Sequence, residues 1–304
     1  MTDKRVCFDF EIDFSNGGGI QGQDFRLDIE GDDIGDDALA AHIVGDLRLL
    51  MVGSVRILHK RIIEERHKRA DAAARALSPG GMRFDLSHDI EDGMVTYKGL
   101  PAPVICDYLS RERSRGIYAE GTEFQIGRID MVANTGTYID TPFHRYADGH
   151  DLAGLPLDRI ADVPGMVVRV EGMDGPAIDW HVFAATDVTG KAVLVQTGWD
   201  RHWRTDAYFE GHPFLTEAAA TWLRDHEALL VGIDSYNIDD VSGGTRPVHS
   251  VLLAAGIPIV EHLTGLAALP ADGFCFTAVP PRIRGLGTFP VRAYARMTDR
   301  SGVE

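Results

Sequence analysis

Between Val6 and Phe14 the chain alternates without a break, with Val6, Phe8, Phe10, Ile12 and Phe14 on one side and Cys7, Asp9, Glu11 and Asp13 on the other. A period of two puts the first set on a buried face and the second on a solvated one, so a half-buried strand is expected. Asn16-Gly17-Gly18-Gly19 supplies a turn, and Phe25, Leu27 and Ile29 resume the alternation beyond it. The acidic stretch 31–37 opens a helical pattern from Ala38 to about Met51. A second helix is expected from about Val55 to Ala76, dense in Arg56, Lys60, Arg61, Arg66, Lys68 and Arg69. Ser78-Pro79-Gly80-Gly81 then interrupts the chain. Residues 1–77 thus read as an accessory ββα module without a chemical motif, and residues 78–304 as a second, larger domain.

From Phe84 onward short apolar runs alternate with Gly/Pro turns. Gly165–Val170, Ala192–Gln196, Leu229–Ile233, Ile257–Val260, Phe274–Val279 and Val291–Met297 are expected strands. Thr216 can cap a helix running through Trp222 and Leu223, and a second helix is expected over Val248–Ala255 with Gly256 just past its end. The expected class is α/β. No internal repeat and no low-complexity segment interrupts the pattern.

The 304 residues are 44% hydrophobic and 25% charged, a balance that supports a packed core. No run of 18 apolar residues occurs, and Met1-Thr2-Asp3-Lys4-Arg5 leads straight into the first strand, so a cytoplasmic protein with neither membrane span nor signal peptide is expected. A formal net charge of −16 repels phosphate backbones and anionic lipid surfaces, which argues against nucleic acid or membrane as partner without identifying the small-molecule substrate expected here. Cys7, Cys106 and Cys275 are odd in number and far apart, as expected of buried free thiols. No phosphate-binding glycine loop or dinucleotide fingerprint occurs.

The densest polar segment is Asn134-Thr135-Gly136-Thr137-Tyr138-Ile139-Asp140-Thr141-Pro142-Phe143-His144, which presents Asp140 and His144 from one tight loop. A carboxylate four residues from an imidazole suits acid/base or metal chemistry, although the same residue types also build ordinary turns. Glu261 follows the apolar run Ile257-Pro258-Ile259-Val260, where a buried strand ends and where α/β folds place their ligands. A carboxylate there needs a partner. His249 lies twelve residues earlier, at the start of the helix feeding that strand. His150, His181, His202, His212 and His226 sit in polar, turn-like settings and are expected on the surface, as is the basic run Arg111, Arg113 and Arg115. Alternation points His262 away from Glu261.

These residues resemble the cyclase family that includes bacterial kynurenine formamidases and isatin hydrolases. Its motif His-x-Gly-Thr-His-x-Asp-x-Pro-x-His is met here by Asn134-x-Gly136-Thr137-Tyr138-x-Asp140-x-Pro142-x-His144. The likeness runs from about Phe84 to Arg296 and takes in Asp85-Leu86-Ser87-His88, Thr197-Gly198-Trp199, Gly232-Ile233-Asp234, the pair His249 and Glu261, and Phe289-Pro290-Val291-Arg292-Ala293. It implies a mixed, barrel-like sheet with flanking helices, a homo-oligomer, and hydrolysis of amides or lactams by water activated on one or two divalent ions. It also places Trp199, Trp203, Tyr236 and Asn237 near the pocket.

The two histidines that bind metal in the family are replaced by Asn134 and Tyr138. The resemblance leaves Asp140, His249 and Glu261 as metal ligands, enough for one zinc or manganese ion with an open position. A neutral amide and a phenol of pKa about 10 are poor replacements for imidazole. A metal-free site is the equal alternative, with His144, paired with Glu261 or Asp140, as general base and Asn134 and Tyr138 as oxyanion donors. Hydrolysis of a C–N bond, a cyclase or lyase reaction, and a small-molecule-binding homologue without chemistry all remain open at this level.

Overall fold

The computed structural model describes residues 3–298 apart from 30, 32, 48, 50 and 66–80. The chain divides into two compact units, Met1–Pro79 and Gly80–Glu304.

In the first unit, β1 (Asp3–Phe14) is the middle strand of three, between β2 (Gly19–Asp28) and β3 (Val52–Glu65), with helix α1 (Asp36–Asp46) preceding β3. Val6, Phe8, Phe10 and Ile12 form the core with Leu27, Leu39 and Ile43, as the alternation requires. The expected helix from Val55 is instead a strand as far as Glu65, and its remainder lies outside the described residues. The reason is a bulge. Cys7 and Asp9 pair with Arg61 and Leu58, so β3 carries one extra residue, and His59 takes a φ of 50°. Ile57 and Ile62, an odd number of positions apart, can then both pack on the core. The unit is therefore ββαβ, and α1 ends before Met51, at Asp46.

The second unit contains β4 (Arg83–Asp85), β5 (Val104–Leu109), helix α2 (Arg111–Ser114), β6 (Ile126–Asp130), β7 (Tyr138–Asp140), β8 (Val163–Arg169), β9 (Ala177–Ile178), β10 (Ala192–Gln196), β11 (Phe214–Leu215), α3 (Glu217–Asp225), β12 (Leu230–Ile233), α4 (Pro247–Ala254), β13 (Ile259–Glu261), β14 (Phe274–Thr277), β15 (Thr288–Pro290) and β16 (Tyr294–Met297). Nine of these strands form one mixed sheet, curled into a half-barrel, in the order β15-β7-β13-β12-β10-β8-β14-β16-β4. The run β13-β12-β10-β8 is parallel, and antiparallel strands flank it. Burial on both faces explains why β10 and β12 read as unbroken apolar runs. One face packs Val193, Val195, Val231 and Ile259 against Ala219 and Leu223 of α3 and Leu252 of α4. The opposite face packs Leu194, Val260 and Ile139 with Leu263 and Phe276. Thr216 caps α3 by accepting from the Ala219 amide. Among the described residues no helix is long and apolar enough to cross a membrane. Cys106 is exposed, contrary to expectation, while Cys7 is buried.

Candidate active site

Strand register assembles the site. On the two sides of β7, Asp140 stands opposite Ile259 of β13 and Thr288 of β15, and Tyr138 stands opposite Glu261 and Pro290. Because alternate residues share a face, Ile139 enters the core while Tyr138 and Asp140 project together beside Glu261. Gly136, at φ 67°, makes the turn into β7. Gly287 lies against the following turn, where a Cβ would come within 2.3 Å of the His144 amide nitrogen, so only glycine lets β15 close on this loop.

Asp239 sets the position of His249. It stands before α4 and accepts from the amides of Val248 at 2.8 Å and His249 at 3.0 Å, which caps the helix. Its Oδ2 also accepts from His249 Nδ1 at 2.6 Å. That bond fixes the tautomer and turns Nε2 toward Asp140 Oδ2 at 3.6 Å and Glu261 Oε1 at 3.9 Å. Both separations exceed a hydrogen bond. Burial works against a charge on His249, yet Asp140, Asp239 and Glu261 together outweigh it and raise its pKa to about 10. Three carboxylates thus demand positive charge at one point, whether a proton or a metal ion supplies it.

Asp140 is fully buried. Thr288 donates to its Oδ1, and His144 Nδ1 lies 2.7 Å from the same hydroxyl. The chain of donation therefore runs from His144 Nδ1–H to Thr288 to Asp140. Burial opposes the Asp140 charge, but His144, His249 and Thr288 hold its pKa below the usual carboxylate value. Its Oδ2 is buried with no hydrogen-bond partner among the described residues. Oxygen and nitrogen atoms of Asp140, His144 and His249 all lie within 4.8 Å of one another, a group able to hold a metal ion.

Glu261 stands at the edge of that group with both oxygens engaged. Tyr138 donates to Oε2 at 2.6 Å and the Ile238 amide donates to Oε1 at 2.7 Å. Burial, with the Asp140 charge adding to it, raises the Glu261 pKa to about 7 against the opposing pull of His249. Burial and the neighbouring charges of Glu261 and Asp140 push the Tyr138 phenol well above its ordinary pKa, so it remains a donor.

These groups open into a cavity of about 290 Å³. Asn134, Tyr138, His144, His249 and Glu261 line it, with Tyr97 and Leu100 as an apolar wall and Arg145, Arg246 and Asn237 completing it. Residues of the polar segment at 134–144 and the pair His249 and Glu261 therefore line one cavity. Two residues went unrecognised in the sequence, Asp239 and Thr288. His212, expected on the surface, is buried and bonds the Asp239 carbonyl at 3.1 Å, because that loop folds inward to brace α4.

His262, at φ 56°, turns away from the cavity into an aromatic layer. Tyr208 lies 2.7 Å from its Nδ1, and Trp203 packs against it and stacks on His88. Burial drives the pKa of His262 down to about 3 and that of His88 to about 4. Depressed histidine pKa values mean that the unfolded chain takes up protons the folded chain refuses, so stability is full above pH ~6.5 and is lost as pH falls toward 4. Melting temperature followed from pH 7 to 4 should drop less steeply in His262→Gln than in the wild type. Parallel curves would show that His262 takes up its proton without unfolding.

Residues 84–240 match the Cyclase family model. The kynurenine formamidase of Geobacillus thermodenitrificans is 30% identical over 186 residues, 60% of this chain and 86% of that protein. A structure described as a potential metal-dependent hydrolase with cyclase activity is 26% identical with a TM-score of 0.57, covering 70% of this chain and 96% of the other. Isatin hydrolase A from Labrenzia aggregata, bound to benzyl benzoate, has the same fold at 19% identity and a TM-score of 0.63, over 77% of this chain and 100% of its own.

Proposed function

We propose that this chain, which belongs to the cyclase family, hydrolyses a C–N bond in a small amide, formamide or lactam and uses one divalent metal ion. One observation carries the reading: the unpartnered, buried Asp140 Oδ2 faces His249 Nε2 within a three-donor group. A buried carboxylate oxygen without a partner is costly, and a cation between these atoms removes the cost.

Asp140, His144 and His249 would hold the ion. When bound, it would polarise the attacked carbonyl and lower the pKa of water. The remaining steps belong to the chain. Asp239 and Thr288 hold the two imidazoles through their Nδ1 atoms. Glu261, poised near neutrality, takes the proton from the attacking water and returns it to the departing nitrogen. Tyr138 donates to Glu261, so it can reach a developing oxyanion only while Glu261 carries the proton. Asn134, beside Tyr138 on the cavity wall, offers an amide N–H to the same oxygen.

The test is metal content per chain in protein purified without added ions, measured beside turnover of aryl formamides, aliphatic amides and lactams. One ion per chain and turnover abolished by a chelator is the expected result. Turnover that persists in chelator favours the metal-free chemistry of His144 instead.

Restoring the family's imidazoles gives a second check. Asn134→His with Tyr138→His adds two donors facing Asp140 and Glu261 and should raise zinc and manganese retention above that of the wild type after identical exposure and dialysis. Two ions already present in the wild type would refute the reduced site.

A further inference from the structure

The chain carries a net charge of −16, yet its cavity is flanked by two arginines, each tied in sequence to a site histidine. Arg145 follows His144, and Arg246 immediately precedes α4, whose first turn carries His249. Neither has an ion-pair partner among the described residues. Some exposed arginines of this unit, such as Arg115, Arg201, Arg204 and Arg292, have carboxylate partners, while Arg111, Arg113 and Arg128 form no ion pair among the described residues; what sets Arg145 and Arg246 apart is their place on the cavity lining.

Both are held in place. One terminal nitrogen of Arg246 donates to three carbonyls, those of Thr245 at 2.7 Å, Gly243 at 2.9 Å and Asp240 at 3.2 Å. Its other nitrogens have no acceptor among the described residues. Arg145 Nε donates to Ser250 Oγ at 3.3 Å, and the Ser250 hydroxyl donates to the Arg246 carbonyl at 2.8 Å. One serine therefore links the Arg145 side chain to the Arg246 backbone. Two fixed guanidinium groups with free N–H donors match a carboxylate, which such groups bind in bidentate fashion. Glu261 lines the same cavity and, with the buried Asp140 near His249 Nε2, repels an anion from that part of the site, which leaves the arginines as its place. Tyr97 and Leu100 add apolar surface to the lining.

We propose that Arg145 and Arg246 form a carboxylate-binding subsite, and that the substrate is a small amide or lactam carrying a carboxylate on an apolar, ring-sized body. This substrate class rests on the C–N hydrolase reading given above. The carboxylate docks between the arginines and presents the scissile carbonyl to Asp140, His144 and His249.

Binding of benzoate and of benzamide to the holoprotein, measured by titration calorimetry at low and high salt, tests the subsite without requiring turnover. Benzoate is expected to bind at least about tenfold more tightly than benzamide, with the advantage shrinking as salt rises. In Arg145→Gln and Arg246→Lys that advantage should fall, and in the double variant Arg145→Gln with Arg246→Gln it should vanish while benzamide binding is unchanged. Arg145→Gln lies on the surface and tests the idea even if changes at Arg246 disturb its loop. Equal binding of the two probes by the wild type overturns the proposal. So does a benzoate preference that survives in the variants, which would place the carboxylate on the metal group. A protein that cleaves neutral formamides but shows no benzoate preference retains the hydrolase reading and loses the subsite. The converse result retains the subsite and loses the hydrolase.

Discussion

Replacing Asp140 with asparagine should lower kcat/KM by roughly a thousandfold and remove the bound ion, while leaving the fold intact. Asparagine has nearly the same shape, and its carbonyl oxygen can still accept the proton that Thr288 donates to Oδ1. What disappears is charge at Oδ2, the atom facing His249 Nε2 at 3.6 Å. A neutral amide in that place neither ligates a transition metal well nor supports a positive charge on the imidazole. The thermal unfolding of Asp140→Asn should therefore stay within a few degrees of the wild type, since the desolvation cost of a fully buried carboxylate is removed along with its attraction to the histidines. Metal analysis, melting temperature and turnover on the same preparation separate these effects. Activity within about tenfold of the wild type would exclude Asp140 from the chemistry. Lost activity with a collapsed melting curve would make its role structural.

How much of this site could be read from the chain alone follows from how far apart its members lie. Asp140 and His144 were legible because they share one short polar segment in which glycine, proline and threonine leave little else to pack, although Asp140 closes a strand rather than standing in a loop. Glu261 was legible because a carboxylate after four apolar residues is out of place on a surface. Thr288 was not, since a threonine before Phe289-Pro290 carries no signal until β15 pairs with β7 and sets it opposite Asp140. Asp239 lies ten residues before His249 and resembled a loop residue; only the closed turn before α4 gives it both helix amides and the imidazole.

The fold shows the same division. Six strands of the main sheet, β8, β10, β12, β13, β14 and β16, were visible as apolar runs, whereas β4, β7 and β15, three residues each, were not, and Tyr138–Asp140, expected as part of a tight loop, is a strand because it pairs on both sides with β13 and β15. In the first unit the basic stretch from Val55 had the composition of an exposed helix. Its β-branched residues belong to a strand, and a bulge at His59 breaks the alternation that would have revealed it. Local pattern failed where a long-range pairing corrected the phase.

Glu261→Gln should separate metal binding from proton transfer. In the wild type, Glu261 Oε1 accepts from the Ile238 amide and Oε2 from Tyr138. Glutamine can keep the first bond with its carbonyl oxygen and donate its amide to the phenol oxygen, so the strand end need not rearrange. The group loses its capacity to accept a proton, however. If Asp140, His144 and His249 hold the ion, metal content should remain at the wild-type level while kcat falls by about 10² to 10⁴. The pH profile adds a further sign. Burial and Asp140 raise the Glu261 pKa to about 7, and a base must be unprotonated to act, so wild-type kcat should fall as pH drops through and below that value. A bound cation pulls the same pKa downward, as His249 does, and moves this acid limb to lower pH. The limb should be absent from the residual activity of Glu261→Gln. Loss of the ion together with the activity would instead put Glu261 among the ligands, as the family resemblance implied, and would return the role of base to His144.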